Sequence, residues 1–200
     1  MKRREFIAAS AALAATSLLP ETPAWAKARK VKLGLIGTGM RGQVLLKELV
    51  RRDDVEVVAL CDIEPIMLKR GLDMVAKAGK PAPTAYGQDR DVNAWKRLLE
   101  QRGLDGVIIA TPWEYHAPMA IAAMQAKVAV GCEVVAGITL QDHWDVLNTQ
   151  LQTGTPYMLL ENVCYRRDVM AALQMVRAGL FGELVHLQGG YQHDLRGVKF

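Results

Sequence analysis

Residues 31–43, VKLGLIGTGMRGQ, constrain this chain more than any other stretch. An apolar strand pattern runs into Gly37-Thr38-Gly39-Met40-Arg41-Gly42, and a helical pattern follows at once. Each glycine has its own use if a dinucleotide is bound at such a turn. Gly37 permits the tight bend, Gly39 lets the backbone approach a pyrophosphate, and Gly42 lets the helix pack closely on the strand. The helix start adds unpaired N–H groups and the positive end of its dipole. Glycine-rich turns also occur without a ligand, so Asp62 carries much of the weight. It stands twenty residues past Gly42, at the end of a second strand pattern over 55–61. A carboxylate there accepts hydrogen bonds from both ribose hydroxyls and repels a 2′-phosphate, which predicts NAD rather than NADP.

The first 26 residues read as a leader outside the fold. Lys2-Arg3-Arg4-Glu5-Phe6-Ile7 is a twin-arginine pattern, an Ala-rich apolar run covers 8–19, and Ala24-Trp25-Ala26 supplies the small residues of a cleavage site. The run is shorter than the roughly 20 residues that span a bilayer, so no stable membrane anchor is expected. The expected partner is the twin-arginine export machinery, with a periplasmic or secreted destination. That route carries folded proteins, so a tightly held cofactor can travel with its enzyme. At the other end the chain stops at Gly197-Val198-Lys199-Phe200 with no closing element, which predicts the amino-terminal part of a longer protein.

Composition excludes more than it assigns. Half of the 200 residues are apolar, ample for a packed core. The formal net charge of +4 falls to about +3 without the leader, which is no nucleic-acid footprint. Cys61, Cys132 and Cys164 are far apart and lack CxxC spacing, so neither a disulfide framework nor a metal site is expected.

Strands and helices alternate after the leader. Helix patterns cover 65–78, 92–101, 117–126 and 167–178, and another begins at Thr139, where Thr139 and Asp142 form a capping-box signature. Leu140, Trp144, Leu147 and Leu151 follow at helical spacing, which predicts a core-facing stripe. Short apolar strands are expected at 106–110, 128–132 and 157–160. Such strands, separated by helices, predict an α/β fold with a doubly wound parallel sheet, the Rossmann arrangement. Its ligands bind beyond the carboxyl ends of the strands. Asp62, the run Thr111 to His116, Glu133, and Glu161 with Asn162 all follow strand ends. From Val185 to Asp194 the pattern changes to alternation, which predicts the first strand of an incomplete second α+β domain. The expected division is therefore a leader at 1–26, a dinucleotide-binding domain at 27–180, and the start of a substrate domain at 181–200.

With GxGxxG, Asp62, Thr111-Pro112 before His116, and the Gly179-x-x-Gly182-Glu183 turn, residues 31–200 resemble the Gfo/Idh/MocA oxidoreductase superfamily. The segments TPWEYH (111–116), CEV (132–134), LLEN (159–162), LFGE (180–183) and YQHD (191–194) are similar to those of glycoside hydrolase family 109, the NAD-dependent α-N-acetylgalactosaminidases. Sugar dehydrogenases of the superfamily usually carry Glu-Lys-Pro after the fifth strand, and the lysine moves the substrate hydroxyl proton. Here the triplet is Glu133-Val134-Val135, and valine exchanges no proton. The hydrolase family also lacks the lysine, though it commonly has proline where this chain has Val135.

The resemblance implies net hydrolysis of a glycoside. The sugar is oxidised at C3, the aglycone leaves by elimination, water adds, and the ketone is reduced again. No pair of flanking carboxylates is needed, unlike most glycosidases. It further implies that Met40, Arg41, Asp62, Trp113, Glu114, Tyr115, His116, Glu133, Val134 and Asn162 contact NAD, and that Tyr191 touches the sugar. The residues also have ordinary readings: His116 as a helix cap, Asn162 as a turn residue, Tyr191 as strand packing. The catalytic Tyr and His are expected in a Tyr-Pro-Thr-His-like segment beyond residue 200. Competing expectations are a periplasmic NAD(P)-dependent sugar oxidoreductase and a simple nucleotide-binding module. Homo-oligomer formation is left open.

Overall fold

The computed structural model describes residues 29–190, 192 and 194. It divides into two units, residues 1–159 and 160–200. In the first, six strands form one sheet in the order β3-β2-β1-β4-β5-β6. They are β1 (Val31–Ile36), β2 (Val55–Cys61), β3 (Thr84–Tyr86), β4 (Gly106–Ile109), β5 (Ala129–Cys132) and β6 (Tyr157–Leu159). All the pairings are parallel. The order reverses between β1 and its neighbour β4, and ligands bind at such switch points.

Helices cover both faces, as the continuous apolar strands require. Leu46 of α1 (Met40–Val50) and Leu68 and Val75 of α2 (Pro65–Lys77) pack with Leu35, Val57 and Leu60. The other cluster unites Ile36 and Ile109 with Leu98 of α3 (Ala94–Leu99), Met124 of α4 (His116–Gln125) and Val146 of α5 (Leu140–Thr153). Leu35, Leu46, Leu60 and Leu98 are fully buried, and each such side chain contributes roughly 2 kcal/mol by leaving water.

Local chemistry sets several helix ends. Pro65 opens α2 at a position where a missing N–H costs nothing. The capping box at α5 is formed: the Asp142 N–H donates to Thr139 Oγ1 at 3.1 Å, and the Thr139 N–H donates to Asp142 Oδ2 at 2.8 Å. These bonds hold the Asp142 carboxyl below its ordinary range. Burial pushes the Cys61 and Cys132 thiols up to about 12, as expected of small apolar core residues.

Two expectations need correction, and one strand was not foreseen. Leu140, Trp144, Leu147 and Leu151 are exposed, and α5 instead buries Val146 and Thr149. Helical spacing reveals a stripe without saying what covers it. A third-strand pattern was not expected at all, because Thr84–Tyr86 is too short for alternation to show; β3 is held by pairing with β2. Finally, residues 184–190 lie in no strand. A strand needs a neighbour for its backbone groups, and no described residue pairs with this segment.

The second unit has a short 3₁₀ turn, Val163–Tyr165, followed by α6 (Arg167–Arg177). Val169, Leu173 and Val176 share a face of α6 and are exposed. Among the described residues, no helix is long and apolar enough to cross a membrane.

Candidate functional site

The turn between β1 and α1 is shaped by backbone approach. Gly37 adopts φ +91°, and a Cβ there would run into the Ala110 carbonyl at the end of β4. A Cβ on Gly42 would overlap the Gly37 carbonyl, so α1 can cross the turn this closely only with glycine at that point. Gly39 differs: its Cα side faces open space, with nothing within 4 Å of an added Cβ. The first turn of α1 carries no acidic residue, which leaves the positive helix end available to an anion. Met40 is largely exposed beside it.

Asp62 does more than wait for a ribose. Its Oδ2 accepts from the Thr38 N–H at 2.7 Å and from the Thr38 hydroxyl at 3.0 Å. Its Oδ1 accepts from the Glu64 N–H at 2.8 Å. Thr38 is fully buried, so the end of β2 is tied to the middle of the glycine turn. A carboxylate has about four acceptor positions, and Oδ1 keeps capacity for a hydroxyl.

Beyond β4 the chain runs through Thr111 and Pro112 into a 3₁₀ turn at Trp113–Tyr115, then α4. Trp113, Glu114 and Tyr115 are exposed there, whereas His116 is buried. The ring of His116 makes no helix cap. Its Nδ1 lies 2.6 Å from the Val135 carbonyl oxygen and its Nε2 lies 2.8 Å from that of Thr111. The imidazole thus ties the β4 loop to the β5 loop, and a ring N–H is what those carbonyls can use.

Glu133 follows β5 and is buried, with its N–H donating to the Ile109 carbonyl at 2.9 Å. Arg41 Nη2 reaches across to 2.7 Å from Glu133 Oε1. This is an ionic contact without an aligned hydrogen bond, because that buried oxygen has no hydrogen-bond donor. The Val134–Val135 peptide bond is cis, and Val134 is exposed.

Between the ends of β1, β2 and β4 lies a cavity of about 190 Å³, and neither Glu133 nor His116 is among the residues that line it. Gly37, Gly39, Asp62, Thr111 and Tyr115 line it, as the strand-end reading expects. Ile63, Asp91, Val92 and Trp95 also line it, and sequence reasoning missed them. Their only sequence signal was a helix start after an unread strand. Asn162, in the second unit, precedes the 3₁₀ turn, where Glu161 Oε1 accepts from the Val163 N–H at 2.8 Å. Tyr191 lies outside the described residues. Among the described residues, no group of three or more His, Cys, Asp or Glu could hold a metal ion.

This geometry fits a dinucleotide. The open side of Gly39, the first turn of α1 without an acidic residue and the spare acceptor on Asp62 come together at the β1/β4 switch point, and Glu133, after β5, keeps a buried oxygen without a hydrogen-bond donor. The family model described as "Oxidoreductase family, NAD-binding Rossmann fold" matches residues 31–158. The chain belongs to the Gfo/Idh/MocA oxidoreductase family. A second model of that kind, "Glycosyl hydrolase 109, C-terminal domain", matches residues 165–200. A "Glycosyl hydrolase family 109 protein" from Stenotrophomonas maltophilia (strain K279a) is 88% identical over all 200 residues, which span 44% of that protein. An "Alpha-N-acetylgalactosaminidase" from Tannerella forsythia is 48% identical over 172 residues, covering 85% of this chain and 36% of that protein. The chain therefore spans less than half the length of these relatives.

Solved structures share the fold of this Gfo/Idh/MocA member. Myo-inositol 2-dehydrogenase from Lactobacillus plantarum superposes with a TM-score of 0.68 at 20% identity, over 78% of this chain and 44% of that one. Scyllo-inositol dehydrogenase from Lactobacillus casei, solved with bound NAD(H) and scyllo-inositol, gives 0.67 at 16% identity, over 78% and 43%.

Proposed function

We propose that this chain carries the NAD-binding part of an exported glycoside hydrolase of the α-N-acetylgalactosaminidase kind. The observation that carries the reading is the end of β5. Glu133 is buried there against Arg41, and the two residues that follow it are Val134 and Val135, whose side chains exchange no proton. A dehydrogenase that merely oxidises an alcohol is poorly served by that arrangement. The 48% identity to a protein named as an α-N-acetylgalactosaminidase supports the hydrolytic choice.

NAD, when bound, would supply reversible hydride transfer at one sugar carbon. The chain's own residues hold and orient it. Asp62 would accept from the ribose hydroxyls, the first turn of α1 would meet the pyrophosphate, and Glu133 and Val134, after β5, would contact the cofactor as the family resemblance implies. His116 fixes the two loops on that side through their carbonyls.

The test uses the full-length protein with an aryl α-N-acetylgalactosaminide, following aglycone release and reduced-cofactor absorbance together. Aglycone without net NADH is the expected result. Accumulating NADH without aglycone makes the protein a periplasmic sugar oxidoreductase instead. The twin-arginine leader is tested separately by changing Arg3 and Arg4 to lysine, which is expected to retain the enzyme inside the cell.

A further inference from the structure

The floor of the cavity beyond Asp62 contains a second carboxylate. Asp91 lies in the loop between β3 and α3, with Val92 and Trp95 on the same cavity wall and Ile63 facing from the end of β2. With the pyrophosphate at the β1/β4 switch point and the ribose on Asp62 after β2, a dinucleotide would direct its base onward to the next strand, β3. The base then enters a slot with apolar walls and one acidic side chain.

That side chain is held in place. The Asn93 N–H donates to Asp91 Oδ1 at 2.9 Å, and Arg97 Nη1 lies 3.1 Å from Oδ2. Each oxygen retains acceptor capacity, and an ionised carboxylate offers acceptors only. Asp91 and Arg97 also lie near enough to the Cys61 thiol to push it in opposite directions, which puts the pair beside the end of β2. Adenine presents an exocyclic N6 amine, a donor. Hypoxanthine and guanine present a carbonyl oxygen at the same place, which a carboxylate repels.

We propose that Asp91 is the base-reading residue of this site, accepting a hydrogen bond from the adenine N6 amine and excluding 6-oxopurine dinucleotides. The proposal rests on the NAD reading above and adds the atom by which the base is recognised. Its functional weight differs from that of a turn-forming aspartate, which would affect all dinucleotides alike.

The experiment measures binding to the full-length protein by titration calorimetry with NAD, nicotinamide hypoxanthine dinucleotide and the 1,N6-etheno analogue of NAD. The unaltered protein is expected to prefer NAD over both analogues by at least about tenfold, the size of a hydrogen bond to a charged group. Asp91→Asn keeps an acceptor for the Asn93 N–H and can turn its NH₂ toward a carbonyl. It is expected to bring the NAD-to-hypoxanthine ratio near one. Equal binding of all three dinucleotides to the unaltered protein overturns the Asp91 assignment while leaving the cofactor reading intact. An unchanged ratio in a folded Asp91→Asn protein does the same. Binding of none of them to protein first stripped of co-purified nucleotide overturns both readings. The analogue series on the unaltered protein remains decisive if the variant does not fold.

Discussion

On the β2 side of the cleft, backbone N–H groups of Thr38 and Glu64 grip the carboxylate of Asp62. On the β5 side, the carboxylate of Glu133 meets a long side chain, Arg41, and its loop is tied down by the imidazole of His116. Both sides bring a carboxylate to a strand end, yet one is fixed by main chain and the other by side chains. Main-chain grips follow from where the chain can turn. Side-chain grips depend on which residue types happen to reach. The first kind can be read from spacing, and the second has to be seen.

Substitutions can probe that contrast, beginning where the main chain dominates. Gly42→Ala forces a Cβ into the Gly37 carbonyl, and neither is the end of a flexible side chain. A loss of about 3 kcal/mol is expected in urea unfolding. Gly39→Ala is its partner: the fold should hold while NAD binding weakens, because its Cβ meets only the open cleft. If both variants behaved alike, the turn would not be the backbone cradle described.

His116→Phe should come next, at about 2 kcal/mol in the same measurement. It removes the ring nitrogens that face the Thr111 and Val135 carbonyls and leaves them without that partner. Arg41→Met strips the ionic partner from buried Glu133. Since Arg41 is 40% exposed, the loss is expected to be about 1 kcal/mol, well short of that for a fully buried pair. Adding Glu133→Gln should recover most of it, and a failure to recover would show that the pair is not what matters on that side.

The smallest effect lies at the opposite end of the sheet. Arg29 and the Lys32 N–H hold the Asp105 carboxyl down at about 2, against an ordinary 3.8. A carboxyl depressed in the folded state stabilises above its unfolded value and loses that contribution as pH falls toward 2. Unfolding midpoints of the native protein and Asp105→Asn should therefore converge between about pH 4 and 2. Because Arg29 is exposed, salt should shrink the difference at neutral pH.

The same division explains what the sequence could tell. The β1–α1–β2 unit, Asp62 and the Thr139–Asp142 cap were legible because each is a short-range pattern with one backbone solution. Trp144 was misread, since periodicity marks an apolar face without naming its cover. β3 has too few residues for a pattern, and with it went the cavity wall of Asp91, Val92 and Trp95. His116 was expected as a cofactor contact or a helix cap, and its ring instead holds two carbonyls. Those partners were not legible, because they depend on how the β4 and β5 loops come together.

The hydrogen bonds from Thr38 to Asp62 also bear on how this scaffold could change its diet of cofactor. Acceptance of NADP in such folds calls for removing the acidic group that repels the extra phosphate. Here that group is also the anchor for the buried middle of the glycine turn. A lineage, or an engineer, that replaced Asp62 alone would release Thr38 along with the repulsion. The switch would need a second acceptor for the Thr38 N–H to arrive first, so the route to NADP is a two-step one with its order fixed.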